Sequence, residues 1–353
     1  MAEFLLKSDI SEIIAALDDV AQDFSGKTIL LAGGRGFLGR YFMAVFAELN
    51  RAHLKKPCKL VVIDNLITAG SFGAFEAEME HVRCIQHDIS KPLELTEPFD
   101  FIIHAAGIAS PYYYRAFPLE TTDVAIMGNR HLLKLATECH ARYTFFSSSE
   151  IYGDPDPKHV PTAESYRGYV ASQGPRACYD ESKRMGEALC YIFHNGFGVT
   201  TNIIRPFNVY GPGMQETDYR VLPNFASRIK AGKPLLVYGS GNQTRTFCYI
   251  SDAINGFLRV IARGVSGETY NIGNPKPEIG MKDLVALIAK VKGTPVQHEV
   301  IEYPDSYPPD EPNRRCPDIR KANLQLHYHP AVDIETGLKR FLDWSDRTYT
   351  GAT

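Results

Sequence analysis

Short apolar runs separated by longer amphipathic stretches fill the chain up to about residue 205. Residues 27–32 (KTILLA), 59–63, 82–86, 101–104, 143–146 and 199–205 are compact and rich in aliphatic and aromatic side chains, the pattern of buried strands. Residues 37–49, 121–140 and 181–193 repeat their apolar positions at helical spacing. The alternation predicts an α/β fold built on a doubly wound parallel sheet. Ahead of it, residues 9–23 set Ile10, Ile13, Ile14, Leu17 and Val20 on one face. This short amphipathic helix is expected to pack on the following domain. Its polar face is acidic, which disfavours a place on a membrane surface. Residues 153–176 are rich in Pro, Gly and polar side chains but carry Tyr166 and Tyr169, so they read as an ordered loop. After Pro206 elements shorten and glycine-rich turns recur, at 211–213 and 239–241.

Composition narrows the class. The 353 residues are 44% hydrophobic and 22% charged, with a net charge of -3. Length allows a large core and two domains, and the charge gives no case for nucleic acid or an acidic membrane. The seven cysteines form no C-x-x-C pair and are odd in number. That argues against a disulfide framework and a structural zinc, and suits a reducing compartment. The histidines do not cluster at ligand spacing, so no metal is expected. The acidic start does not resemble a signal peptide, and no run of 18 apolar residues exists. The expected location is cytoplasmic.

Candidate chemistry sits where the strands end, the place where doubly wound sheets bind ligands. Gly33, Gly36 and Gly39 follow the first strand and lead into a helix opened by Phe37 and Leu38. Such a turn brings the backbone close to a pyrophosphate resting on the helix N-terminus. Asp64, with Asn65 beside it, ends the second strand. A carboxylate there accepts from a ribose diol and repels a 2'-phosphate, which favours NAD over NADP, although Arg35 in the turn would suit a phosphate. Asp88, beside Ile89, follows the third strand, where an acid meets an adenine amine. Ala105 and Ala106 are small enough to let a cofactor pass. A serine run, Ser147, Ser148 and Ser149, then Glu150, ends the fifth strand. Of nineteen tyrosines only Tyr179 has a lysine four residues on, Lys183. On a helix that spacing shares a face, and Lys183 is expected to lower the phenol pKa toward use as a general base. The organisation expected is an N-terminal helix at 1–25, a Rossmann-type NAD-binding domain at 26–205 and a smaller, mainly substrate-binding α/β domain at 206–353, from which the chain can cross back.

A dinucleotide turn, a serine run and a Tyr-x-x-x-Lys helix in this order resemble the extended short-chain dehydrogenase/reductases, which include sugar-nucleotide epimerases and dehydratases. Residues 174–184 (GPRACYDESKR) closely resemble the signature of UDP-glucuronate decarboxylases, also called UDP-xylose synthases. So do Ala109-Ser110-Pro111 with Tyr114, and residues 149–155, 205–212, 237–247 and 315–319. The resemblance runs from about residue 27 to 330 and implies the following roles. Tyr179 takes the C4 hydroxyl proton while NAD accepts hydride, Lys183 holds the ribose, and Ser148 bonds the same sugar oxygen. Glu150 and Arg315 match positions linked to loss of CO2 from C6, and Ser149, Ser110 and Tyr114 line the sugar pocket. Asn208 and Arg245 match diphosphate contacts, Arg220 reaches the diphosphate from the preceding loop, and Tyr238 belongs to the substrate-binding set. The 4,6-dehydratases carry an aspartate where this chain has Ser149, and the 4-epimerases lack an acid where it has Glu150. Three departures bear on the sugar or the cofactor: Ala32 and Arg35 in the glycine turn, Ser182 for a glycine, and Arg115-Ala116-Phe117 for a polar stretch. The competing readings are a nucleotide-sugar 4-epimerase and a catalytically silent NAD(H)-binding protein. The resemblance also implies a homodimer, with helices 121–140 and 181–193 forming a four-helix bundle.

Overall fold

The computed structural model describes residues 4–69, 80–303 and 312–352. Seven parallel strands form the central sheet: β1 (Thr28–Ala32), β2 (Lys59–Asp64), β3 (Val82–Gln86), β4 (Phe101–His104), β5 (Arg142–Phe146), β6 (Thr201–Pro206) and β7 (Thr269–Ile272). Their order across the sheet is β7-β6-β5-β4-β1-β2-β3. The chain builds outward from β1 to β3, then returns to β4 beside β1. That reversal opens a crevice at the carboxyl ends of β1 and β4. Residues 29–32 and 102–104 are wholly buried because helices cover both faces of the sheet.

Helices α2 (Phe37–Ala52) and α5 (Ile250–Arg263) cover one face with Tyr41, Phe42, Phe46, Phe257 and Ile261. On the other, α3 (Pro118–Asp123, continuing through Val124–Gly128 to Asn129–Cys139) and α4 (Ala177–Phe197) supply Leu132, Leu133, Cys190 and Phe193. The long helix expected at 121–140 is therefore present, but it widens into a π turn at Val124–Gly128. His104 Nε2, from β4, lies 3.1 Å from the Val124 carbonyl oxygen. Burial holds that imidazole neutral, with its pKa near 3, and its N–H draws the carbonyl out of the helix ladder.

The N-terminal helix α1 (Lys7–Leu17) lies against α2 and α5 with Ile10, Ile13, Ile14 and Leu17 buried. Asp9, also buried on that face, accepts from the hydroxyls of Tyr41 and Tyr249. After Pro206 the chain crosses back into the sheet: α5 packs on it and β7 extends it beside β6. The remaining segments build a smaller unit over the crevice. The helix Val221–Lys230 leads to Leu235–Tyr238, which pairs in parallel with His298–Ile301. Thr244–Arg245 pairs with Ile279–Gly280 and Arg314–Arg315. The helix α6 (Ile334–Thr348) closes the unit on Leu338, Phe341 and Trp344.

Candidate active site

The carboxyl ends of β1, β4, β5 and β6 open into a cleft of about 380 Å³, bounded opposite by residues between Pro206 and Phe247 and by Arg315. Gly33 takes a φ of +86°, and a Cβ there would fall 2.5 Å from the Ala106 nitrogen. A Cβ on Gly39 would fall 2.2 Å from the Gly33 oxygen. Neither position admits a side chain, so the turn seats tightly against β4 and against its own helix. Gly36, Phe37 and Leu38 face the cleft. Gly36 caps α2 with no side-chain hydrogen bond, which leaves the first-turn N–H groups for an anion. The cradle fits a dinucleotide pyrophosphate.

Asp64 stands at the tip of β2 and accepts from the Arg35 and Leu66 amides at 2.9 and 2.8 Å. It braces the glycine turn and does not itself line the cleft. Asn65 accepts from the Ile67 amide and Asp88 from the Ser90 amide. Ile89 is 3% exposed and packs against Gly128. Ala106 offers its backbone to Gly33, and Ala105 lines the cleft.

β5 ends in the serine run. Ser147 donates to Glu187 on α4, and Arg205 on β6 grips the same carboxylate at 2.6 and 2.9 Å. That buried knot fixes α4 against the strand ends. α4 begins at Ala177, so Tyr179 lies in its first turn rather than ahead of it. The Ser148 hydroxyl accepts from the Glu150 amide at 3.2 Å and stands near enough to the Tyr179 phenol to lower its pKa, and the phenol ring stacks on Tyr114 with centroids 5.3 Å apart. Lys183 is buried, donates to the Phe146 carbonyl at 2.8 Å and lies 5.8 Å from the Tyr179 ring centre. The expected lowering of the tyrosine by this lysine is not what the protein alone produces. Burial, with a smaller push from Glu150 and Asp180, drives the phenol up to about 12, while Ser148 and Arg220 oppose it. Burial brings Lys183 down to about 8, with Glu187 acting in the other direction.

Beyond Ser149 the 3₁₀ turn Ser149–Tyr152 aims Glu150 into the cleft. Glu150 accepts from Arg315 on one side and from Arg176 on the other. Burial alone would raise its pKa, but the two guanidinium groups outweigh it and hold the carboxyl down at about 2. Arg176 also reaches Asp180, one helical turn on, at 3.4 Å. Around the rim, Ser110 donates to the Asp218 carbonyl, Arg220 pairs with the Asp218 carboxylate, and Asn208 donates to the Thr246 carbonyl at 2.8 Å. Arg245 is 6% exposed, and Tyr238 stacks on Tyr303 with centroids 5.7 Å apart. All six residues expected to bind substrate line this one cleft, as do Ser148, Ser149, Glu150, Tyr179, Lys183 and Arg315.

The sequence profile of the NAD dependent epimerase/dehydratase family matches residues 29–273. The chain belongs to that family. UDP-glucuronic acid decarboxylase 1 of Xenopus tropicalis is 37% identical over 90% of this chain and 72% of its own length. UDP-glucuronic acid decarboxylase 5 of Arabidopsis thaliana is 36% identical over 89% of this chain and 88% of its own. Among solved structures, the dTDP-glucose 4,6-dehydratase of Streptomyces venezuelae with NAD bound superposes at a TM-score of 0.78, with 23% identity over 91% of this chain and 97% of that one. The UDP-glucuronic acid 4-epimerase of Bacillus cereus, also with NAD, gives 0.76 and 25% over 91% and 100%. As a member of the NAD dependent epimerase/dehydratase family this protein uses NAD, for which the glycine turn supplies the cradle.

Sequence reasoning missed four residues of the site of this epimerase/dehydratase family member. Arg176 and Asp180 were legible as a pair four apart at a helix start, yet nothing local pointed to Glu150. Tyr303 and Gln243, which donates to the Tyr303 hydroxyl at 3.2 Å, meet only through the tertiary fold. Among the described residues no group of three or more His, Cys, Asp or Glu side chains could hold a metal, and no helix is long and apolar enough to cross a membrane.

Proposed function

We propose that this protein is a UDP-glucuronate decarboxylase, converting UDP-glucuronate to UDP-xylose or its 4-keto form. The observation that carries the reading is Glu150, held between Arg315 and Arg176 in the same cleft as Ser148 and Tyr179. It places fixed charge beside the group that would act on C4, as a sugar with an acid at C6 requires. Relatives bearing this activity in their names cover about nine-tenths of the chain.

In this reading Gly33, Gly36 and the first turn of α2 hold the cofactor, Asp64 braces that turn, and Lys183 stands toward a ribose. Bound NAD supplies the acceptor and donor of the C4 hydride. Tyr179 takes the C4 hydroxyl proton, and Ser148 donates to the same oxygen. With C4 a ketone, the C5–C6 bond electrons pass into the carbonyl as CO2 leaves, and the oxyanion formed faces the Tyr179 and Ser148 donors. Arg315 and Glu150 fix the carboxylate's orientation while it is removed. Asn208, Arg220 and Arg245 bind the diphosphate, and Tyr238 with Tyr303 flanks the nucleotide.

The test is proton NMR of the protein with UDP-glucuronate and NAD+. UDP-pentose signals are expected, and their pattern reports whether the ketone is reduced. Interconversion of uronic acids with the carboxylate retained would replace this reading by the 4-epimerase, which the likeness to the Bacillus cereus enzyme favours. An unchanged Tyr179→Phe protein would favour the silent reading. We also infer a homodimer through α3 and α4, supported by exposed apolar side chains there: Leu119, Met127, Met185 and Ile192. Seven free cysteines support the reducing, cytoplasmic setting.

A further inference from the structure

The short helix Pro111–Ala116 carries three tyrosines in a row that step from solvent to the catalytic phenol. Tyr114 is buried against Tyr179, Tyr113 lines the cleft half-buried, and Tyr112 is 55% exposed and outside the cleft lining. Opposite stands the segment 214–220, which belongs to the small unit and forms part of the other wall. The two walls meet at three successive points. The Ser110 hydroxyl donates to the Asp218 carbonyl, the Tyr113 hydroxyl donates to Thr217 Oγ1 at 3.1 Å, and the Tyr112 ring packs on Tyr219 with centroids 4.5 Å apart. Gln215 adds a tie to the Thr68 and Ala69 carbonyls. On its outer side Glu216 accepts from the Ser227 hydroxyl and from the Thr350, Gly351 and Ala352 amides, which anchor the segment to the small unit. Tyr219 itself sits at a φ of +62°, a strained setting for a bulky side chain. Such a setting persists where the surrounding contacts over-determine it, and here the 39% exposed ring is held by Tyr112.

We propose that Tyr112 and Tyr219 determine which product leaves this cleft: their ring pair latches the two walls together, so that the 4-keto pentose is held until C4 is reduced and UDP-xylose is what escapes. The inference rests on the decarboxylase reading and names the residues that settle the fate of its intermediate. A ketone in the cleft either regains hydride at C4 or leaves. Leaving requires the walls to part, which breaks the ring pair, whereas hydride return does not. The partition between the two products therefore follows the strength of the latch. Tyr112 joins protein to protein and stands outside the cleft lining, so its contribution enters the rates of entry and exit alike and cancels from the affinity. It acts as a positioning residue and not as a catalytic one.

Tyr112→Ala tests this at an exposed position where the fold tolerates truncation. With UDP-glucuronate and NAD+, wild type should release chiefly UDP-xylose. In the variant the ratio of released 4-keto pentose to UDP-xylose, read by proton NMR, should rise about two- to tenfold, the range that one aromatic pair sets. Single-turnover release of CO2 should keep its wild-type rate, and Tyr112→Phe, which retains the ring, should match wild type throughout. Stopped-flow association and dissociation of UDP-xylose should both speed up by the same factor, with Kd unchanged. Tyr219→Ala removes the pair from the other wall and should shift the product ratio in the same direction. A wild type that releases chiefly the ketone, a Tyr112→Ala ratio equal to wild type, slower CO2 release, or a Kd that rises without faster association would overturn the proposal. A protein that makes no UDP-pentose sinks the decarboxylase reading instead, and the binding and release rates of UDP in wild type and Tyr112→Ala then decide the latch.

Discussion

Tyr179 needs help to ionise, and in this chain the direct help comes from Ser148. The Ser148 hydroxyl is the largest influence lowering a phenol that burial has driven up to about 12. Ser148→Ala should therefore lower kcat by about 10²–10³, the usual loss on removing one donor aimed at a developing oxyanion, with KM little changed. Steady-state rates with UDP-glucuronate check it; a loss confined to KM would mean that Ser148 only binds the sugar. The pairing of Tyr179 with Lys183 was legible because both lie on one helix turn. The grip on Glu150 was not. Its arginines stand 26 and 165 positions away in the chain, and no local pattern encodes a contact made by packing two units together.

The elements were more legible than the contacts between them. Strands buried on both faces announce themselves as unbroken apolar runs, and helices by spacing, so β1 to β6, α2 and α4 were all visible. The π turn was not, because its cause is an imidazole on another element. The acids of α1 were visible only as its polar face, and the burial of Asp9 against two tyrosine hydroxyls was not. Burial pushes Asp9 from 3.8 up to about 6, against the opposing pull of Tyr249, Tyr41 and Arg340. A carboxyl raised on folding adds stability that is full below its unfolded pKa and is lost as pH rises through its folded one. Asp9 should thus cost the fold up to about 3 kcal/mol as pH climbs from about 4 to about 6. Asp9→Asn keeps an acceptor for the tyrosine hydroxyls and removes this titration. Denaturant unfolding at several pH values in that window should give a flatter stability curve for the variant than for wild type. Parallel curves would mean that Asp9 carries no such cost.

At the scale of the whole molecule, one face remains apolar after the cleft is built. Met185, Leu189 and Ile192 recur along α4 at spacings of four and three, with Met185 and Ile192 exposed and Leu189 half-buried. Leu119 and Met127 lie on α3, which packs directly beside α4. An apolar stripe spanning two adjacent helices exceeds the scattered exposure normal for a monomer, and its twofold copy would complete a bundle of four helices. A stable dimer of this kind needs about 800 Å² from each partner. Because α4 also carries Tyr179 and Lys183 on its inner side, dimerisation would hold the catalytic helix from behind. Ile192→Glu introduces a charge at a position 49% exposed in the single chain, so the fold itself should tolerate it. Light scattering after gel filtration should give twice the mass of one chain for wild type and the mass of one chain for the variant, with circular dichroism unchanged. A wild-type protein that runs as a single chain would remove the bundle, and the apolar stripe would then need another partner.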